Sequence, residues 1–163
     1  MRRSPRCNAY GMKRLLGDGR GTSAIEFALV GPFVALLALG TIELAIDMII
    51  DASVQIAAQS ASRAGLTVAP PADGLPRADE AKTIVLGILS GWINVGAVVN
   101  VSEVDFGGLG NVGAAGAPAG PGDFGDVVAY NITLTIKGFT GIPKLLGLPV
   151  LTFQRNYLVQ NEK

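Results

Sequence analysis

The stretch RGTSAIEFALVGPFVALLALGTIELAIDM, residues 20–48, decides what kind of chain this is. Between Phe27 and Ile42 it runs for sixteen residues without a charge. As a helix this run is about 24 Å long. A spanning helix needs about 20 apolar residues, whereas the apolar core of a secretory signal has about 7–15. The flanks decide between them. Ala24 and Ile25 extend the run on one side, and Leu44, Ala45 and Ile46 on the other. Its interruptions, Glu26 and Glu43, sit near the ends, where a carboxylate reaches the headgroup region and not the costly bilayer centre. The reading is one transmembrane helix.

What precedes the run sets its direction. Residues 1–20 carry Arg2, Arg3, Arg6, Lys13, Arg14 and Arg20 against Asp18 alone, a net charge of +5. The rest of the chain holds seven basic and twelve acidic residues, so the formal balance of zero conceals a basic leader. Basic residues resist translocation, which places the leader in the cytoplasm and everything after about Ile46 outside the inner membrane of a bacterium. Composition agrees. Charged residues make up 16% of the 163, against about 25% in an ordinary soluble domain. The chain has no His, which removes Ser-His-Asp and Cys-His chemistry, His-ligated metal and the commonest general base. One cysteine, Cys7, excludes an internal disulfide framework and a Cys-cluster zinc site. No enzyme activity, cofactor or metal is expected. The basic leader holds a single aromatic, Tyr10, and not an interleaved series, so no nucleic-acid partner is expected either.

Downstream of the apolar run the helical pattern continues. Ile46, Ile49, Ile50, Ser53, Val54, Ala57, Ala58, Ala61 and Ala64 follow 3–4 spacing, with Asp47, Asp51, Gln55, Gln59, Ser62 and Arg63 mostly opposite. The expected helix covers 22–65, with a kink or local unwinding at Pro32. Residues 66–80 hold three prolines and read as a linker. The head, 81–163, begins with a short helix over 81–93. Strands follow over 98–106, 127–137 and 151–159, separated by a Gly-rich loop at 107–122 with seven Gly and two Pro. In the last strand Arg155 breaks the apolar face, so it lies at an edge or is paired. The fold class is therefore α+β: a long N-terminal transmembrane helix, then a small antiparallel-sheet head with one covering helix. The paired acids Glu103/Asp105 and Asp123/Asp126 lack the further ligands that a metal or glycosidase site requires.

The chemistry sits at the start of the helix. A basic leader ends in Gly21, an apolar helix follows at once, and Glu26 is the fifth residue after that glycine. Gly21 lets the backbone enter a membrane peptidase in extended form without a side-chain clash. A cut there leaves Thr22 as a new amino terminus with Glu26 one turn further in. In a packed assembly the Glu26 carboxylate of one subunit meets the amine of its neighbour, offsetting the desolvation of both. The run Gly21-Thr-Ser-Ala24-Ile25-Glu26-Phe27-Ala28-Leu29, the proline-containing apolar helix and the downstream Gly40-Thr41-Ile42-Glu43 resemble the amino-terminal domain of TadE-like proteins, pseudopilins of the Tad (Flp-type) pilus assembly system. The resemblance covers about 40 residues. It implies processing by a prepilin peptidase and a minor pseudopilin or pilus assembly role, with other pilin or pseudopilin subunits and inner-membrane lipid as partners. Two other readings stay open: an envelope adaptor on an uncleaved anchor, and a secreted enzyme whose signal peptide is cut near Gly40. The processed terminus separates the three.

Overall fold

In the computed structural model, residues 22–66 and 77–161 are described. The leader, including Gly21, and most of the expected linker lie outside them. The elements are helix α1 (Thr22–Leu66), helix α2 (Arg77–Asn94), strand β1 (Val98–Asp105), strand β2 (Val127–Ile136), a one-turn helix α3 (Ile142–Leu145) and strand β3 (Leu151–Gln160). The class is α+β, with the long apolar helix first and a three-stranded antiparallel sheet after it. The chain divides into two compact units at Gly40/Thr41.

In the first unit the described residues are α1 alone. Its large apolar side chains face outward; Phe27 is 78% exposed and Leu37 72%. Such a surface suits an apolar environment better than water. A kink or local unwinding was expected at Pro32; the helix is continuous there, so the unwinding is absent. The missing N–H removes one i→i−4 bond without ending the helix.

The second unit folds around one core. The remainder of α1 contributes Ile50, Val54, Ala57, Ala58 and Ala61, and α2 contributes Ala81, Val85 and Leu89. The sheet contributes Val128, Tyr130, Ile132, Leu134 and Ile136 from β2 and Val159 from β3. Complete burial of a Leu, Ile or Val side chain contributes about 1.5–3 kcal/mol relative to exposure. The sheet is therefore covered by two helical segments, not one: α2 and the second half of α1. Ile49, grouped with the buried stripe by spacing, is 57% exposed, because the buried arc is narrower than the apolar one. The first turn of α2 holds Asp79 and Glu80, acids that favour a helix start, and this carries the helix four residues ahead of the expected Ala81.

The strand order is β1-β2-β3, so β2 is central and both neighbours are edges. Val98 lies opposite Thr135, and Ile136 opposite Leu151. The start of β1, the end of β2 and the start of β3 thus share one end of the sheet. The other end carries Asp105, Asp123, Asp126 and the Gly-rich loop. That loop contains a 3-10 turn (Leu109–Asn111) and is tied down at its end by Asn161, whose Nδ2 donates to the carbonyls of Pro121 at 2.9 Å and Asp123 at 3.0 Å.

Candidate functional site

The sequence singles out Gly21, Thr22 and Glu26. Gly21 lies outside the described residues. Thr22 is the first residue of α1, and Glu26 stands one turn after it on the same face, because residues four apart are neighbours on a helix. The Glu26 side chain is exposed. It has no hydrogen-bond or ion-pair partner among the described residues.

A second arrangement is found further along α1, within the second unit. Glu43, Asp47 and Asp51 follow at i, i+4 and i+8 and share one face. Glu43 is the buried acid of the group, 3% exposed. Its Oε1 accepts from the Phe139 backbone N–H at 2.9 Å, and its Oε2 accepts from the Thr140 N–H and the Thr140 hydroxyl, each at 2.6 Å. Hydrogen bonds to a charged acceptor are short and strong, and three of them replace the water lost on burial. Glu43 was expected to reach toward lipid headgroups. Instead the loop after β2 takes it up, because that loop presents two backbone donors with nothing else to bond. Gly138 makes this approach possible: a Cβ there would lie 2.8 Å from Glu43 Oε1 and 2.6 Å from Pro143 Cγ.

Two turns on, Asp51 receives Arg155 of β3, with Nη2 to Oδ1 at 2.6 Å, while Arg155 Nε donates to Gln55 at 2.9 Å. Arg155 is therefore both on an edge strand and paired, which accounts for a cation on an otherwise apolar strand face. Asp51 and Gln55, placed by spacing on the far side of the helix, border the sheet instead. Asp47, one turn before Asp51, has its Oδ1 buried with no hydrogen-bond partner among the described residues. These contacts fasten α1 to the loop after β2 and to β3, across 96–104 residues of sequence.

The helix Ser23–Arg63 is long and apolar enough to cross a membrane. It starts with an exposed glutamate and carries Gly40-x-x-Glu43 at the end of the uncharged run. Residues 21–65 match the family model described as TadE-like protein. The TadE-like stretch takes in Gly21, Thr22, Glu26, Glu43 and Asp51 and stops before α2. No curated protein and no solved structure matches the chain. The TadE-like stretch thus supplies one half of the Glu43 and Asp51 contacts, and the strands beyond it supply the other half.

The remaining acids have local work. Asp105 Oδ1 accepts from Gly107 N–H at 2.8 Å, and Asp126 Oδ2 from Asp123 N–H at 2.7 Å; both shape turns. Glu103 lies on the inner face of β1 opposite Tyr130. Burial, then Asp79 beside it, pushes its carboxyl above the usual range, with Lys82 opposing. Tyr130 stacks on Tyr157 at 5.0 Å between ring centroids, and burial likewise raises the Tyr157 phenol. Among the described residues no cluster of three or more His, Cys, Asp or Glu is placed to hold a metal.

Proposed function

We propose that this chain is a minor pseudopilin or pilus assembly protein of a Tad-type machine, anchored by one membrane helix and cut by a prepilin peptidase after Gly21. Its partners are then that peptidase and other pilin or pseudopilin subunits, and it has no enzymatic activity of its own. The observation that carries this reading is the exposed Glu26, without a partner among the described residues, at the head of an outward-facing apolar helix within the stretch that matches the TadE-like family. The net +5 of the leader supports a cytoplasmic amino terminus and a head on the periplasmic side of the inner membrane.

The intact mass of protein purified from membranes tests the reading. A terminus at Thr22 is expected. One at Met1 favours an uncleaved adaptor, and one near Thr41 a cleaved signal peptide. Gly21→Leu should accumulate the precursor, because the side chain obstructs the extended backbone in the peptidase. A leaderless mature mass in this variant would refute cleavage at that bond.

A further inference from the structure

One end of the head is apolar without being covered. The shared end of the sheet exposes Val95, Val98, Phe139, Leu145, Leu146 and Leu148, with Leu145 at 76% and Leu146 at 74% exposure. The elements that meet there are fixed to one another. The turn after α2 is closed by Ala97 N–H donating to the Trp92 carbonyl at 3.0 Å, and the Trp92 ring meets Phe139 edge-on at 6.4 Å. The one-turn helix α3 is folded back by Leu148 N–H on the Pro143 carbonyl at 2.8 Å, and Pro143 seats on Gly138. Phe139 and Thr140 in turn are held by Glu43.

Glu43 is the residue directly after Ile42, where the uncharged run ends. If α1 crosses a bilayer, Glu43 lies at headgroup depth by chain connectivity alone. A loop hydrogen-bonded to its carboxylate lies there too. Charge is distributed to match. Among the described residues Lys137 and Lys144 are the exposed cations at this end, where the Glu43 carboxylate is buried, while Asp105, Asp123 and Asp126 are at the other. Lysines among exposed leucines and aromatics are the composition of a surface that rests in the interfacial zone, with ammonium groups among phosphates and leucines among acyl chains.

We propose that the α3 loop and the neighbouring turn form a membrane-resting surface that takes anionic phospholipid. Leu145, Leu146 and Leu148 enter the acyl boundary, and Lys137 and Lys144 meet the headgroups. The head is then attached to the bilayer at two places, through the helix and through this loop. The inference rests on α1 being a membrane anchor, but not on cleavage, nor on which side of the membrane the head occupies.

The test uses the full chain with Cys7→Ser and single cysteines at Leu146, Ala115 or Leu36, each carrying an environment-sensitive fluorophore. The protein is reconstituted in vesicles of phosphatidylethanolamine and phosphatidylglycerol. Leu146, Ala115 and Leu36 are all exposed, so the labels leave the core intact. The Leu146 probe should shift to the blue, be quenched by brominated acyl chains and resist aqueous iodide. The Ala115 probe, in the Gly-rich loop, should be quenched by iodide. Adding Lys137→Glu and Lys144→Glu should reduce acyl-chain quenching at Leu146. Iodide quenching at Leu146 while Leu36 is quenched by lipid overturns the proposal and leaves the anchor standing. Shelter from both quenchers assigns the patch to a protein contact, such as a second copy, and also overturns it. Iodide quenching at Leu36 overturns the anchor and this proposal together.

Discussion

Glu43 is a carboxylate whose three bonds are all to one loop, two of them to backbone. Glu43→Ala deletes the acceptor and should destabilise the head by about 1.5–3 kcal/mol, the range for hydrogen bonds to a charged group. Glu43→Gln should not rescue it fully, because an amide turns one acceptor into a donor facing donors. Thermal unfolding in detergent reads the loss, and amide exchange at Phe139 and Thr140 should rise more than at Ile132; unchanged exchange there would show that the loop holds without Glu43. Glu103 makes the opposite prediction. Its folded carboxyl is raised above the ordinary value of 4.5, so folding favours the protonated form. Its contribution is fully present below pH 4.5 and is lost as pH rises through the raised value. Glu103→Gln should therefore be more stable than the parent at neutral pH and should flatten the fall in stability above pH 4.5. A parent and variant with parallel stability–pH curves would refute this. Neither role was legible in the sequence. A backbone N–H leaves no mark on residue identity, so the partners of Glu43 at 139 and 140 are invisible to any pattern, and only the glycine at 138 hints that something approaches closely.

Among the elements, those with strong periodicity were legible and those made by contact were not. Alternation in β2 is nearly complete, and the strand ends at Ile136, one residue from expectation. Arg155 stood out because a cation on an apolar strand face needs an explanation; edge and partner both supply it. The early start of α2 has a local cause in Asp79 and Glu80, whereas roles made by tertiary contact left no local mark. The second half of α1 reads by itself as a modest amphipathic helix, yet it becomes a cover for the sheet because β2 and β3 present it with Tyr130, Ile132 and Val159. The connection between β2 and β3 reads as punctuation, although it carries α3 and the donors that hold Glu43. Gly138→Ala tests that connection as a unit. A Cβ placed 2.6 Å from Pro143 Cγ forces α3 away from the helix, at a cost of about 1–3 kcal/mol for overpacking. The same change at Gly87, where a Cβ meets nothing within 4 Å and the residue is helical, should stabilise by about 0.5–1 kcal/mol. Equal melting shifts in the two variants would refute the close approach.

For the whole molecule, a helix long and apolar enough to span a bilayer was legible because length and apolarity are properties written in consecutive residues. Assembly is not written that way. Glu26→Gln isolates it: the variant keeps size and hydrogen bonding while losing charge. Insertion and cleavage should match the wild type, since the helix becomes more apolar, but cross-linked higher-order species should be reduced. A buried amine deprived of its counter-ion costs about 3–5 kcal/mol, and less where water reaches it. Wild-type assembly would leave Glu26 as an interfacial acid, and lost cleavage would move its role to peptidase recognition.

The contact between Glu43 and Thr140 spans 97 positions of sequence, and synthesis runs in one direction. At about 5–20 residues per second, Glu43 waits roughly 5–20 s for the loop that will hold it. The amino-terminal segment is complete through that interval, while the central strand, Val127–Ile136, is made only near its end. An enzyme acting on the nascent chain meets a helix whose later neighbours do not yet exist. Closure of the head thus waits on the order in which the ribosome delivers its parts, with the whole amino-terminal segment made first.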